Sequence, residues 1–317
     1  VIISKTPLRI SFVGGGTDLP AFYKEVPGAV ISTSFDRYVY IAVNKRFDSS
    51  IRASYSQTEL VDTVDNLEND LFRETMREAG VTSGVEITAV ADVPTGTGLG
   101  SSSSFAVGLL NALYGYRGRM QTAEHLARQA CKIELDVLEK KIGKQDQYAA
   151  SYGGLKKYEF NSDGSVFVNP LICSPERRKV FFSNLSMFYV GGYREASSVL
   201  QDTNLTPLKH LRRLVDDFWG ILTGNSDIRQ LGEVLDAGWT FKKQMGGVTN
   251  STIDDYYAKA RRVGALGGKL LGAGQTGFLL FFSEMKHQRA IERAVWPLRR
   301  IPFNFEPEGS KIIYVGS

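Results

Sequence analysis

The residue types best suited to chemistry lie in three glycine-rich segments spread along a chain of 317 residues. The richest reads Pro94-Thr95-Gly96-Thr97-Gly98-Leu99-Gly100-Ser101-Ser102-Ser103-Ser104 and falls between a strand-like run at 85–91 and a helical period that starts near Phe105. Glycines let backbone amides approach an anion closely. A helix start adds unpaired N–H groups and the positive end of a dipole, and serine hydroxyls bind phosphate oxygens or Mg2+. The segment therefore suits a phosphate cradle formed by Pro94, Gly96, Thr97, Gly98, Gly100, Ser101, Ser102 and Ser103. It is not a Walker A loop, which requires a lysine that this stretch lacks. A flexible turn before a capped helix is the plainer alternative, and it leaves the alternating glycines and the serine run without a purpose.

The segment Gly272-Ala273-Gly274-Gln275-Thr276-Gly277 matches GxGxxG literally. A dinucleotide fingerprint follows a strand and opens a helix, whereas this one follows helical sequence and opens the short apolar run 278–282. The expectation is either a tight helix-to-strand connection or a backbone wall, Gly274 included, that closes over a ligand. The segment nearest the N-terminus, Arg9-Ile10-Ser11-Phe12-Val13-Gly14-Gly15-Gly16-Thr17-Asp18, ends a strand with three glycines and a Thr-Asp pair. A carboxylate just past such a loop accepts hydrogen bonds from hydroxyls, and Arg9 supplies positive charge if the strand returns it to the same pocket. Gly15, Gly16, Thr17 and Asp18 are the candidate substrate contacts.

In this order the segments resemble the three motifs of the GHMP small-molecule kinases, the group of galactokinase, homoserine kinase, mevalonate kinase and phosphomevalonate kinase. The stretch from Pro94 to Ser103 matches the PxGxGLGSS motif in full. Arg9 and Asp18 keep the spacing of the galactokinase first motif, but Gly15-Gly16 stand where galactokinases carry Glu-His. Gly14-Gly15-Gly16-Thr17-Asp18, with Lys144-Gln145-Asp146-Gln147-Tyr148 later, is similar instead to D-glycero-D-manno-heptose 7-phosphate kinases, and more distantly to fucokinases. The resemblance implies an α+β, two-domain GHMP kinase fold: a ribosomal S5-like N-terminal ATP-binding domain over 1–178 and a ferredoxin-like C-terminal domain over 179–317.

It also implies ATP and Mg2+ as cofactors, Ser102 and Glu134 as Mg2+ ligands, Asp146 as the base, and Arg9 beside the acceptor oxygen or the transferring phosphoryl group. Phosphoryl transfer asks a protein chiefly for positioning and charge stabilisation, and each part then has a candidate. Plainer roles stand beside these: Glu134 as a solvated helix carboxylate, Asp146 as an N-cap. The implied reaction is phosphorylation of the anomeric hydroxyl of heptose 7-phosphate to the 1,7-bisphosphate. The alternatives are a free-sugar kinase, a non-catalytic sugar sensor of the same fold, and an NAD-dependent enzyme. A phosphosugar dianion needs further cations, for which Arg37 and Arg194 are nearest the expected pocket walls, and Lys269 is another candidate for phosphate charge.

These residues have to be positioned by regular elements. Runs at 8–13, 29–34, 38–43 and 85–91 read as strands, and Asn66 is expected to cap a helix over 67–79 that stops at Gly80. A helix follows Ser101, and Thr122 caps another reaching about Lys141. Strand character returns at 155–160, 166–168, 180–182 and 187–190. Thr206-Pro207 then opens a helix to about Leu222, with further helices near 228–243, 252–264 and 287–300 and strands at 278–282 and 311–315.

Composition sets outer bounds. Lys and Arg total 38 against 34 Asp and Glu, and a net charge of +4 is too weak for a general nucleic-acid binder. The longest uncharged stretch, 93–116, is broken by proline, glycines and hydroxyl residues, so no membrane span is expected. Cys131 and Cys173 belong to no ligand cluster, which suits a reducing cytoplasm, and the N-terminus shows no secretory signal pattern. The expected partner is a small phosphosugar, with no nucleic acid and no membrane, and the oligomeric state is left open, a homodimer included.

Overall fold

The computed structural model describes residues 1–192, 205–272 and 274–316. Alternating apolar residues build β1 (Ile2–Val13), and a glycine turn leads through the short helix α1 (Pro20–Tyr23) into the long strand β2 (Gly28–Lys45). The first part of the chain continues with β3 (Ile51–Ser54), β4 (Thr58–Val61), α2 (Asp70–Ala79), β5 (Val85–Ala91), α3 (Ser101–Tyr116), α4 (Ala123–Cys131), α5 (Gln145–Tyr152), β6 (Leu155–Phe160) and β7 (Val166–Pro170). The second part comprises α6 (Pro175–Ser183), β8 (Leu185–Gly191), α7 (Leu205–Thr223), α8 (Gln230–Lys243), α9 (Ser251–Arg262), β9 (Gly267–Leu270), β10 (Gly277–Phe282), α10 (Met285–Ala294), β11 (Arg299–Ile301) and β12 (Lys311–Val315).

Two sheets result, one ordered β12-β1-β2-β5-β3-β4 with β6 and β7 joined through β2, the other β11-β8-β10-β9. β2 serves two neighbours on the side away from β1. Its first half pairs with β6 and its second half with β5, so the runs expected as separate strands at 29–34 and 38–43 are one continuous element. Helix α3 is apolar on nearly every side and is buried accordingly, packed against β1, β2, α2 and α5. Its first turn emerges directly from the Pro94–Ser104 segment, so the core holds the candidate phosphate loop in place.

Further expectations change. The helix cap lies at Asn69, whose side chain accepts from the Phe72 amide, while Asn66 ends a short 3-10 turn. The run 180–182 is helical, because Ser174 caps α6 with Pro175 at its first position, and only Phe181 of the helix is buried. The helix begun at Thr122 stops at Cys131 and continues as a wider π-helical turn, Lys132–Val137. Strand, not helix, precedes Gly272, so the GxGxxG segment connects β9 to β10. The chain also crosses the 178/179 division twice: α6 spans it, and β12 returns to pair with β1 in the first sheet.

The two parts meet through aromatic rings. Phe12 at the end of β1 stacks on Phe218 of α7 at 5.6 Å and meets Phe181 of α6 edge-on at 5.1 Å. Phe181 in turn contacts Phe282 of β10 at 6.1 Å. This cluster anchors the stem of the first glycine segment to the second part of the chain. Both cysteines are free, Cys131 buried and Cys173 half-buried. Among the described residues no helix is long and apolar enough to cross a membrane.

Candidate active site

In the phosphate loop Gly96, Gly98 and Gly100 have φ of 77°, 84° and 76°, a left-handed conformation repeated at alternate residues that favours glycine. Thr97 lies buried between them, and its hydroxyl donates to the Pro94 carbonyl at 2.9 Å. Gly100 is the N-cap of α3 and supplies no side chain to its amides, so the first turn is left with its unpaired N–H groups facing the loop. Ser101 and Ser103 are buried and Ser102 is exposed.

Glu134, on the π-helical turn, is fully buried. Its Oε1 accepts from Ser102 Oγ at 3.2 Å and its Oε2 from Ser103 Oγ and Gln147 Nε2, both at 2.7 Å. The Lys140 ammonium stands 3.6 Å from Oε1. A solvated surface carboxylate is thereby excluded. The widened turn aims Glu134 inward at the start of α3, and Lys140, where the chain folds back after the turn, balances its charge. An exposed hydroxyl beside a carboxylate is a hard-oxygen pair that fits Mg2+, which takes few protein ligands and completes its shell with phosphates and water. Among the described residues no cluster of three or more His, Cys, Asp or Glu offers a denser metal site.

Asp146 sits in the first turn of α5 and does not cap it. Its Oδ1 accepts from Arg9 Nε at 2.7 Å and its Oδ2 from Arg9 Nη2 at 2.8 Å, a two-pronged pairing that fixes both groups. Arg9 Nη1 reaches the Gly98 carbonyl at 2.6 Å, and the Arg9 amide donates to the Leu99 carbonyl at 3.0 Å, so the pair is fastened to the phosphate loop. A Cβ on Gly100 would lie 3.3 Å from the Asp146 carboxylate, which leaves the loop and the acid side by side. Asp18 is also brought in: Oδ1 accepts from the Gly16 amide at 2.9 Å and Oδ2 from the Gln145 amide at 3.2 Å. Burial raises the Asp18 carboxyl above its ordinary value, the neighbouring Asp146 charge adds to this, and the amide hydrogen bonds oppose it. Thr17 is buried and donates to the Gly14 and Ala29 carbonyls, so it shapes the turn. Gly15 faces Ser11 and Gln145, which bond to each other at 3.2 Å.

The third glycine segment lies against the first. A Cβ on Gly272 would fall 2.2 Å from Gly98 Cα, and one on Gly277 would fall 2.3 Å from the Thr97 carbonyl oxygen. Backbone thus packs on backbone, and the segment forms a wall braced on the phosphate loop. Gly274 packs on Val248, where a Cβ would approach its Cα to 2.5 Å. Lys269 is buried and donates to the Phe12 carbonyl at 3.0 Å, and burial, with Lys242 and Arg9 nearby, pushes its ammonium well below the usual range. Lys242, in the last turn of α8, donates to the Gly272 carbonyl at 2.8 Å. Arg37 is placed elsewhere, bonded to the Asp36 and Pro302 carbonyls at 2.6 and 2.9 Å, and none of its partners lies in a glycine segment. Arg194 lies outside the described residues. Lys242, Ser11, Gln145 and Gln147 are the site residues that sequence reading did not single out. A lysine pair ending a helix gives no signal of its own, whereas the Gln-Asp-Gln order around Asp146 held one.

A glycine loop on a helix start, a buried glutamate at its serines and an arginine-clamped aspartate beside it define a nucleotide-dependent phosphotransferase with a small hydroxyl acceptor. Two family models match, GHMP kinases N terminal domain over residues 53–154 and GHMP kinases C terminal over residues 219–296. The chain belongs to the GHMP kinase superfamily and is an ATP-dependent phosphotransferase acting on a hydroxyl acceptor. It is 26% identical to the D-glycero-alpha-D-manno-heptose 7-phosphate kinase of Campylobacter jejuni over 98% of both chains. Its fold is similar to that of a D-glycero-D-manno-heptose 1-phosphate kinase from Bacteroides thetaiotaomicron, with a TM-score of 0.84, 24% identity and coverage of 100% of both chains. A Lactococcus lactis galactokinase with galactose bound superposes with a TM-score of 0.77 at 18% identity, over 98% of this chain and 94% of that one.

Proposed function

We propose that the protein is a sugar 1-kinase that transfers the γ-phosphoryl group of ATP to the anomeric hydroxyl of D-glycero-D-manno-heptose 7-phosphate, giving the 1,7-bisphosphate for nucleotide-activated heptose synthesis. The observation that carries this reading is the Arg9–Asp146 pair, held at 2.7 and 2.8 Å against the phosphate loop. Each carboxylate oxygen keeps a lone pair beyond the one Arg9 uses, and the Asp146 side chain stays 28% exposed for an acceptor to reach. An anomeric hydroxyl is more acidic than a simple alcohol, so a carboxylate suffices to take its proton. Arg9 holds Asp146 in place and puts positive charge beside the group in transit. The amides of the loop and the first turn of α3 hold the nucleotide phosphates. Ser102 and Glu134 would hold Mg2+, which when bound offsets phosphate charge. Asp18 and the Gly15–Gly16 turn would receive sugar hydroxyls. The heptose 7-phosphate kinase likeness over nearly the full chain supports the choice of sugar.

A free-sugar kinase is the second reading, favoured by one observation: Arg37, the described arginine expected for a 7-phosphate, is bonded to the Asp36 and Pro302 carbonyls and stands 3.3 Å from the Asp36 carboxylate. ADP release from ATP and Mg2+, measured with heptose 7-phosphate, heptose, mannose, galactose and fucose, separates the two. Heptose 7-phosphate is expected to have by far the highest kcat/KM. Equal efficiency with and without the 7-phosphate selects the free-sugar reading, and no ADP with any of them rejects both.

A further inference from the structure

Two lysines converge where the phosphate loop and the third glycine segment touch, and among the described residues each is satisfied by a carbonyl alone: Lys242 by Gly272 at 2.8 Å and Lys269 by Phe12 at 3.0 Å. Among the described residues neither forms an ion pair with a carboxylate. Buried or half-buried ammonium groups are normally paired, because an uncompensated charge away from water is costly. Asp146, the nearby acid that pairs with a cation here, is already taken by Arg9, and Asp18 is taken by backbone amides. Lys269 is sealed in, while Lys242 keeps some exposure. Among the described residues the arrangement holds three cationic side chains, Arg9, Lys242 and Lys269, against the two carboxylates Asp18 and Asp146, which leaves room for an anion.

We propose that Lys242, backed by Lys269 and Arg9, is a phosphoryl-binding residue whose ammonium takes the oxygens of an anionic phosphate at the junction of the phosphate loop and the third glycine segment. This rests on the phosphotransferase reading of the same site and names a residue that reading does not use. The phosphate has two sources, the group in transit from the nucleotide and the phosphate carried by the acceptor.

Burial and the neighbouring Arg9 lower the Lys242 ammonium to about 8, opposed by Asp18 and Asp146. Among the described residues the charged groups that act on it are Arg9 from β1, Lys269 from β9, Asp18 and Asp146. β10 carries no titratable side chain. Below about pH 8 the ammonium is charged and binds phosphate; above it the charge is lost and binding weakens.

The test uses Lys242→Met and Lys242→Arg in the full chain. Inorganic phosphate, a probe that needs no knowledge of the acceptor, is expected to raise the melting temperature of the wild type and of Lys242→Arg but not of Lys242→Met. In turnover, Lys242→Met is expected to lose about tenfold to a hundredfold in kcat/KM, the worth of one charge-assisted hydrogen bond. A loss confined to phosphorylated acceptors assigns the contact to the acceptor's phosphate, and an equal loss with unphosphorylated ones assigns it to the group in transit. The wild-type kcat/KM is expected to fall as pH rises through about 8, and in Lys242→Arg that limb moves to higher pH because guanidinium stays charged. If Lys242 merely complements the end of α8, Lys242→Met melts lower yet responds to phosphate as the wild type does, and the proposal fails. Should Lys242→Met not fold, an alkaline limb that stays put in Lys242→Arg overturns it equally. Failure of every sugar in the panel rejects the heptose reading and leaves the phosphate response intact.

Discussion

Replacing Gly272 with alanine drives a methyl group into the seam between two loops, and the cost follows from the geometry. The new Cβ would lie 2.2 Å from Gly98 Cα, and the backbone at Gly272 has φ of 81°. A left-handed L-residue costs about 1–2 kcal/mol, and forcing an extra methyl into close-packed surroundings costs about 1–3 kcal/mol. Together they amount to roughly 2–5 kcal/mol, or a melting point lower by about 4–10 °C at roughly 2 °C per kcal/mol for a chain of this size. Gly118→Ala is the matched control: φ is 69° there, and nothing lies within 4 Å of the added Cβ. It bears the backbone cost alone and is expected to melt about 2–4 °C lower. The functional difference should be larger. Gly98 gives its carbonyl to Arg9, so pushing the loop aside by even an ångström displaces the amides and the Arg9–Asp146 pair together. A misplacement of that size costs about a hundredfold in kcat/KM for the nucleotide, while Gly118→Ala should stay within about twofold because it touches no part of the site. Calorimetric melting and initial rates at varied ATP check both. Equal kinetic effects of the two substitutions would refute the bracing of one loop on the other.

Three other substitutions probe single groups. Asp146→Asn keeps the shape of the side chain but turns an amide NH2 toward Arg9 and cannot take a proton; turnover should drop about 10²–10⁴-fold with nucleotide KM changed by no more than about threefold, as initial rates will report. Ser102→Ala should raise the Mg2+ concentration needed for half-maximal velocity by about tenfold with little change in melting, since Gly100 and not Ser102 occupies the cap position; a drop in melting temperature alone would assign Ser102 a structural role. The raised carboxyl of Asp18 sets a pH dependence: folding favours its neutral form, so its contribution is fully present below the ordinary value of 3.8 and is lost as pH rises through the higher folded value. Urea melts of the wild type and Asp18→Asn at several acid pH values should therefore show the wild type losing ground to the variant across that window, and parallel curves would count against the buried, repelled carboxylate.

Elements punctuated by glycine, proline or a cap residue were legible from the residues alone. β5, β6 and β12 run over the expected residues, and Thr122 does cap α4 by accepting from the His125 amide. Ambiguity arose where two residues of one type compete. Asn66 and Asn69 are three apart and both precede Leu71, Phe72 and Met76, the apolar face of α2, and it is Asn69 whose side chain reaches the Phe72 amide. The π-helical turn carrying Glu134 has no mark in the residue order; its widening follows from Glu134 meeting two serines and Gln147 from other elements. Ser174-Pro175 is a cap and first-turn proline that open a helix through Val180-Phe181-Phe182, a run whose residue types alone read as strand. At the site, the family resemblance singled out Arg9, Asp146 and the glycine segments, but not the pairing of Arg9 with Asp146 or the packing of one glycine loop on another. Lys242 was not singled out, because its partner is a carbonyl whose position depends on a turn 30 residues later.

The pairing of β12 with β1 also orders events during synthesis. Ile2 to Lys5 meet Lys311 to Val315, so the sheet that supports the phosphate loop gets its outer strand only after the whole second part of the chain has left the ribosome. Until then the outer edge of β1 carries bare N–H and C=O groups, a template for pairing with another nascent chain. Of the two sheets, the first thus begins to be translated earlier and is finished later.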